Sequence, residues 1–336
     1  MTTTSIPRPG APAAPGQLHV NKNLGFATMA VSATLMGFVG YFARHISTTG
    51  DVIAFFRMLA GATGCLFILA FARRLPALRS TRLSPAMIVG GMALGTCLAA
   101  YVSATKFTSL ANAVFLIYTG PLISAILAAI FLKERIKPLT ALFLGLVFFG
   151  MILILGLVSI DGSGVSVGLS FSGDTFKGDM LGLLSGAGYG LFLFLSRYRT
   201  DVASDVRGFY NFVFGAVGIG IIFLFSGPSL ADMDGSSWVW LIVMAALIGF
   251  GALGLLTVAG RHLRAVELST VSYWECVVGA GVGVVAFSEA LSVMQVVGGA
   301  FIVVGGMGEV VSSLRRGRRQ VDGPPADPAS AARLPG

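Results

Sequence analysis

The chain has 336 residues, of which 55% are hydrophobic and 11% charged, with a formal net charge of +8. A soluble domain carries about 25% charged residues, so the polar side chains here are too few to cover a water-facing surface; a soluble enzyme is excluded and a polytopic membrane protein remains. The positive charges lie in short loops and the C-terminal tail, the distribution that membrane orientation produces, so no nucleic acid is expected as a partner.

Residues 1–22 are rich in Pro, Ala and Thr without an apolar core, which predicts a disordered cytoplasmic leader and not a cleavable signal peptide. Ten apolar segments follow, approximately 24–43, 52–72, 85–104, 110–132, 139–158, 179–196, 208–226, 238–259, 269–287 and 294–312. Each is near the ~20 residues that a bilayer requires, and each is expected to be a helix because a span must satisfy its own backbone hydrogen bonds. The chain has 45 glycines with no low-complexity tract, and their excess falls inside these apolar runs, where they permit close helix approach. The pairs Gly91/Gly95, Gly182/Gly186, Gly186/Gly190 and Gly279/Gly283, four residues apart, are the expected packing surfaces. Cys65, Cys97 and Cys276 also lie within apolar runs, with no ligand spacing, and read as packing residues.

Loop charges set the orientation. Arg73, Arg74, Arg79 and Arg82 follow span 2, and Lys133, Arg135 and Lys137 follow span 4. Arg197, Arg199 and Arg207 follow span 6, Arg261 and Arg264 follow span 8, and Arg315, Arg316, Arg318 and Arg319 follow span 10. The alternate loops carry Asp161, Asp174 and Asp179, or Asp232 and Asp234, with Arg44 and Lys106 as exceptions. Both termini are therefore expected in the cytoplasm, in the inner (plasma) membrane, and the Arg315–Arg319 cluster should meet anionic lipid.

One shift of 155 positions lays spans 1–5 over spans 6–10, superposing Tyr118 on Tyr273, Glu134 on Glu289 and Gly150 on Gly305. Five is odd, so the second half inserts upside down. The expected fold is all-α: ten transmembrane helices as two inverted five-helix repeats, residues 23–158 and 179–313. An external linker (159–178) joins them and a basic disordered tail (314–336) follows. Inverted repeats place a substrate site near the midplane, between the halves.

Three motifs, Lys106-Phe107-Thr108-Ser109, Tyr118-Thr119-Gly120-Pro121 and Leu132-Lys133-Glu134-Arg135, follow in order. They resemble the end of a repeat in the EamA-like ten-helix transporters of the drug/metabolite transporter superfamily. Phe55-Phe56-Arg57 is similar to the aromatic-Arg entry of that family's second span, and Glu275-Cys276 stands where many members have Glu-Pro. The resemblance spans about residues 24–312 and implies the fold and transport. It leaves the substrate open, since members export amino acids, drugs and diverse metabolites, and some import.

Glu275 is the deepest carboxylate, about seven residues or roughly 10 Å into span 9 at 1.5 Å per residue. It is a candidate to bind a substrate amine or carry a proton, the other reading being a helix–helix hydrogen bond. Arg57 could hold an anionic group bidentately or snorkel toward the headgroups. Pro121, beside Gly120, frees the Ile117 carbonyl in mid-span 4, a helix break that Tyr118, Thr119 and Asn112 are close enough to line. Tyr273 and Trp274 adjoin Glu275 and could stack on a substrate or anchor at the interface. Lys106 is expected to snorkel, and Glu134 and Glu289 to hold turns. The sequence thus sets a backbone break in the first half against a charge in the second.

The function these features support is a secondary transporter, exporting small metabolites or amino acids by alternating access, coupled to protons or to exchange. No Walker A motif is present. An uptake permease of the same fold is the alternative. A membrane-embedded enzyme would need clustered His, Asp or Cys within spans, whereas His19, His45 and His262 lie in loops or tails; a passive channel would show polar stripes and no inversion. Expected partners are a small-molecule substrate and the lipid bilayer, with a homodimer compatible; no cofactor or metal is expected.

Overall fold

Hydrocarbon offers the backbone no hydrogen-bond partners, so apolar runs of this length close their bonds as helices. They do so in the computed structural model, which describes residues 21–133, 138–155, 158–161, 164–167, 173–199, 201–228, 230–263 and 265–321. The first five helices are α1 (Lys22–Arg44), α2 (Gly50–Phe71), α3 (Pro85–Phe107), α4 (Leu110–Phe131) and α5 (Pro138–Ile154). The second five are α6 (Asp174–Leu195), α7 (Ser204–Ser226), α8 (Gly235–Met244 continuing to His262), α9 (Ala265–Ser272 and Trp274–Phe287) and α10 (Val293–Val321). Between the halves, β1 (Val158–Asp161) pairs antiparallel with β2 (Gly164–Val167), in register from Val158↔Val167 to Asp161↔Gly164. This hairpin departs from an otherwise all-α fold.

Two boundaries differ from expectation. Helix α6 starts at Asp174, so Asp179 is a buried helical residue and not a loop acid; α10 runs on to Val321, through residues expected to be tail. Residues 1–20, Glu134, Arg135, Lys137, Arg264, most of the rest of the linker and residues 322–336 lie outside the described residues.

The helix contacts follow an inverted repeat. α3 packs on α6 as α8 packs on α1, α7 on α3 as α2 on α8, and α4 on α6 as α9 on α1. The pairs α2–α7, α4–α9 and α5–α10 meet their own equivalents. Glycines make these approaches possible: a Cβ on Gly95 would strike the backbone of Gly215 in α7, and one on Gly186 the Leu116 carbonyl in α4. One pairing departs from the symmetry. α2 packs closely on α3, whereas among the described residues α7 and α8 scarcely touch.

Both central helices are interrupted at equivalent positions. α4 stops at Ile117, turns through Tyr118 and Thr119, and restarts at Gly120. α9 stops at Ser272, turns at Tyr273, and restarts at Trp274. Pro121 accounts for the first interruption. In the second, the Cys276 amide donates to Tyr273 O at 3.1 Å, one residue short of its regular acceptor Ser272. The Tyr118 hydroxyl, reaching across from α4, donates to the Ser272 carbonyl at 2.8 Å. The expected contrast between halves is therefore corrected: both spans break, and the second also carries the charge. A further signature of the repeat is the left-handed residue ending each span, Lys133 (φ 53) and Ser288 (φ 54).

Candidate functional site

The end of the bundle where Lys22 enters is called here the entry face, and the end bearing the loops after α1 and α3 the far face. Between them a cavity of about 330 Å³ lies where the halves meet. Met36, Leu94, Leu98, Ile117, Phe212 and Leu256 form apolar walls, and Arg57, Tyr118, Tyr189, Ser272 and Glu275 supply the polar atoms. Met29 and Leu268 carry the lining toward the entry face.

Arg57 is buried at 8% exposure, seven residues into α2. Its Nη2 donates to Met36 Sδ at 3.0 Å, a weak acceptor, and its Nη1 is buried with no hydrogen-bond partner among the described residues. Buried cations are normally paired. This one lines the same cavity as Glu275, without an ion pair between them.

Glu275 sits in the first turn of the restarted half of α9, where the helix N-terminus favours an anion. Its Oε2 lies 2.8 Å from the Tyr118 hydroxyl. α1 comes close at this level because it breaks at Phe38, after Gly37, whose missing Cβ leaves room for Val278 and the Glu275 carbonyl. In α8, the π-helical turn Ala245–Ala252 ends at a carbonyl that accepts from Ser32 Oγ at 2.8 Å.

The sequence candidates separate into two groups. Arg57, Tyr118 and Glu275 converge on the cavity beside the break at Gly120 and Pro121. Thr119 is fully buried, donating to Leu116 O at 2.7 Å and facing Gly186. Tyr273 packs on Tyr118 with ring centroids 5.0 Å apart, its hydroxyl buried without a partner against Gly306. Trp274 is 48% exposed, and its Nε1 donates to Thr34 Oγ1 at 3.0 Å. Asn112 belongs to the far face, donating to Asp179 Oδ1 at 3.0 Å and accepting from Gln295 Nε2 at 2.7 Å.

Tyr189, Met36 and Phe212, which sequence reasoning did not single out as site residues, also line the cavity. Sequence reasoning also passed over a polar closure of the far face. Arg44 pairs with Glu289 at 2.6 Å, donates to the carbonyls of Thr105 and Thr108, and lies 4.6 Å from the centre of the Phe287 ring. Glu289 accepts from the Leu110 amide at 3.0 Å, Lys106 donates to the Ile46 and Thr48 carbonyls, and Ser226 donates to Asp51. Arg44 and Lys106, the two exceptions to the charge rule, are thus both built into this closure. At the entry face, α1 meets α8 and α9 through an exposed ion pair, Lys22–Glu267 at 2.8 Å, and a small apolar cluster of Met29, Ala259 and Leu263.

The EamA-like transporter family model matches residues 23–156 and 176–308, one match for each five-helix half. The chain is similar to an uncharacterized transporter of Archaeoglobus fulgidus, 26% identical over 285 residues, covering 84% of this chain and 94% of the relative. It is also similar to a protein of known crystal structure, with a TM-score of 0.57 at 19% identity over 88% of this chain and 98% of the other. That likeness speaks for the fold alone.

Proposed function

This chain belongs to the EamA-like transporter family, and from that premise we propose that it is a secondary exporter of small amphipathic zwitterions, amino acids with apolar side chains among them. The observation that carries the proposal is the buried Arg57 Nη1, unpartnered among the described residues, at a cavity that Glu275 also lines. A substrate carboxylate would satisfy the guanidinium, an ammonium would meet Glu275, and an apolar side chain would lie on Met36, Leu98 and Phe212. A proton and a substrate ammonium would then compete for one carboxylate, which is the linkage an antiporter needs. The arginine-rich loops support a cytoplasmic entry face, and with it export through the far face by alternating access.

The test begins with extracellular metabolites compared between an overexpressing strain and a deletion strain, which names candidate solutes. Counterflow in proteoliposomes follows: preloading with a named zwitterion accelerates labelled uptake of the same compound, and Arg57→Met abolishes the acceleration. Equal counterflow by wild type and Arg57→Met would overturn the proposal.

A further inference from the structure

The Tyr118 hydroxyl touches two acceptors at equal distance, the Ser272 carbonyl and Glu275 Oε2, each at 2.8 Å. A phenol has one proton to donate and can accept as well. Both contacts are full hydrogen bonds only when Glu275 carries a proton: the carboxyl donates to Tyr118 Oη, and Tyr118 donates to Ser272 O. When Glu275 is ionised, it becomes an acceptor only and competes with the Ser272 carbonyl for the single phenolic proton, and the charged acceptor wins that competition.

The geometry points to Tyr118 as a positioning residue that couples the protonation of Glu275 to the interruption of α9. The carbonyl it holds is the last of the first half-helix, and its regular helical donor would be the Cys276 amide. With Glu275 protonated, Tyr118 holds that carbonyl and the interruption is stabilised. With Glu275 ionised, Tyr118 turns to the carboxylate and the Cys276 amide can compete for Ser272 O, which favours a more regular α9. The proton count closes: one proton leaves the Glu275 carboxyl for solvent or substrate, and the phenolic proton stays on Tyr118 throughout.

The titratable groups that share the cavity with Glu275 are Arg57 of α2, Tyr118 of α4 and Tyr189 of α6, and those within its electrostatic reach outside the lining are Cys97 and Tyr101 of α3 and Cys276 on its own helix. α1, α7 and α8 bring no titratable side chain to the cavity. Of these groups, only Tyr118 bonds both the carboxylate and the interrupted backbone. The repeat-equivalent Tyr273 has no partner for its hydroxyl among the described residues, so the device belongs to one tyrosine of the symmetric pair.

The inference rests on the reading of Glu275 as part of the transport site, but its test needs no substrate and can fail or succeed apart from counterflow. The full chain in lipid bilayers is followed by infrared difference spectroscopy over a pH series. We expect the C=O band of a protonated carboxyl that disappears as pH rises, is absent in Glu275→Gln, moves to higher frequency in Tyr118→Phe, and stays put in Tyr273→Phe. In wild type, the tyrosine C–O band moves in step with the carboxyl band, a readout that stands even if Tyr118→Phe is not recovered folded. Hydrogen exchange of the peptide containing Cys276, normalised to Glu275→Gln at each pH, shows greater protection as the band disappears and loses that response in Tyr118→Phe. A missing titrating band, a band unmoved by Tyr118→Phe, or a tyrosine band indifferent to it would each overturn the inference.

Discussion

Replacing Arg57 with Met separates a binding residue from a scaffolding one by the sign of its effect on stability. Met preserves most of the aliphatic stem, and it removes a guanidinium whose Nη1 has no partner among the described residues and whose Nη2 reaches a thioether sulfur. A buried unsatisfied polar group costs about 1–3 kcal/mol, more when charged. Among the described residues the guanidinium makes no ion pair or backbone bond that would be lost in exchange. The expectation is that Arg57→Met stabilises the protein by about 1–3 kcal/mol, measured by denaturant unfolding in mixed micelles without substrate, while abolishing transport. The longer-range attraction of Glu275 works the other way, but that carboxylate can take a proton. The double variant Arg57→Met/Glu275→Gln, with neither charge left, is therefore at least as stable as the single. If Arg57→Met instead destabilises by a similar amount, the guanidinium is part of the scaffold and the zwitterion site is wrong.

Other consequences follow from the same packing. At 21% and 14% exposure, the Arg44–Glu289 pair is intermediate between surface and buried, and a double-mutant cycle with Arg44→Gln and Glu289→Gln should give a coupling of about 1–3 kcal/mol in unfolding experiments. Gly95→Ala, whose Cβ would overlap the Gly215 backbone, should cost about 1–3 kcal/mol as overpacking, whereas Gly220→Ala, with nothing within 4 Å, should gain about 0.5–1 kcal/mol of helix propensity. Thermal unfolding of the two variants side by side checks the opposite signs. Ser288→Gly should stabilise by about 1 kcal/mol by relieving the left-handed backbone at φ 54, and a loss of stability there would mean that the hydroxyl holds the turn.

Much of the fold was legible because its causes are local. Length and hydropathy set ten spans, an odd number of spans per repeat forces inversion, and Pro121 interrupts α4 with its own ring. The interruption of α9 was not legible, because the group that holds its freed carbonyl is a phenol on another helix, 154 positions away in the chain. The same holds for Arg44 and Glu289, which come from opposite halves. Two misplacements at the site had signals in the sequence. Asn112 lies two residues after the start of α4, so helical rise alone sets it near the far face and apart from Tyr118. Trp274 adjoins Glu275 in sequence, but a helix turns about 100° per residue, so neighbours point in different directions. Arg57 could be recognised as a buried cation from its depth. Its lack of a partner depends on what every surrounding helix declines to supply.

The helix contacts obey the inverted symmetry in every pairing described above but α2–α3 against α7–α8, while the polar chemistry breaks it more widely, and this combination bears on how such a protein could work. Equivalent packing means that exchanging the conformations of the two halves produces a second state of similar energy, opened at the other face. Nothing would then favour one state unless side chains distinguished them. Here the distinguishing groups lie along one path. The far face is closed by Arg44, Glu289 and Lys106 acting on backbone carbonyls and an amide, whereas α1 is held at the entry face by an exposed ion pair and three core residues. Exposed pairs contribute ~0–1 kcal/mol, so at the entry seal Lys22–Glu267 adds little beyond the apolar contacts of α1. Glu275 and Tyr118 lie between the seals, and one carboxyl proton decides how α4 holds α9. Under the proposed alternating access, the backbone supplies two states of comparable stability, and a few polar groups near the pseudo-symmetry axis are enough to choose between them, since a bias of about 1.4 kcal/mol already shifts the ratio tenfold.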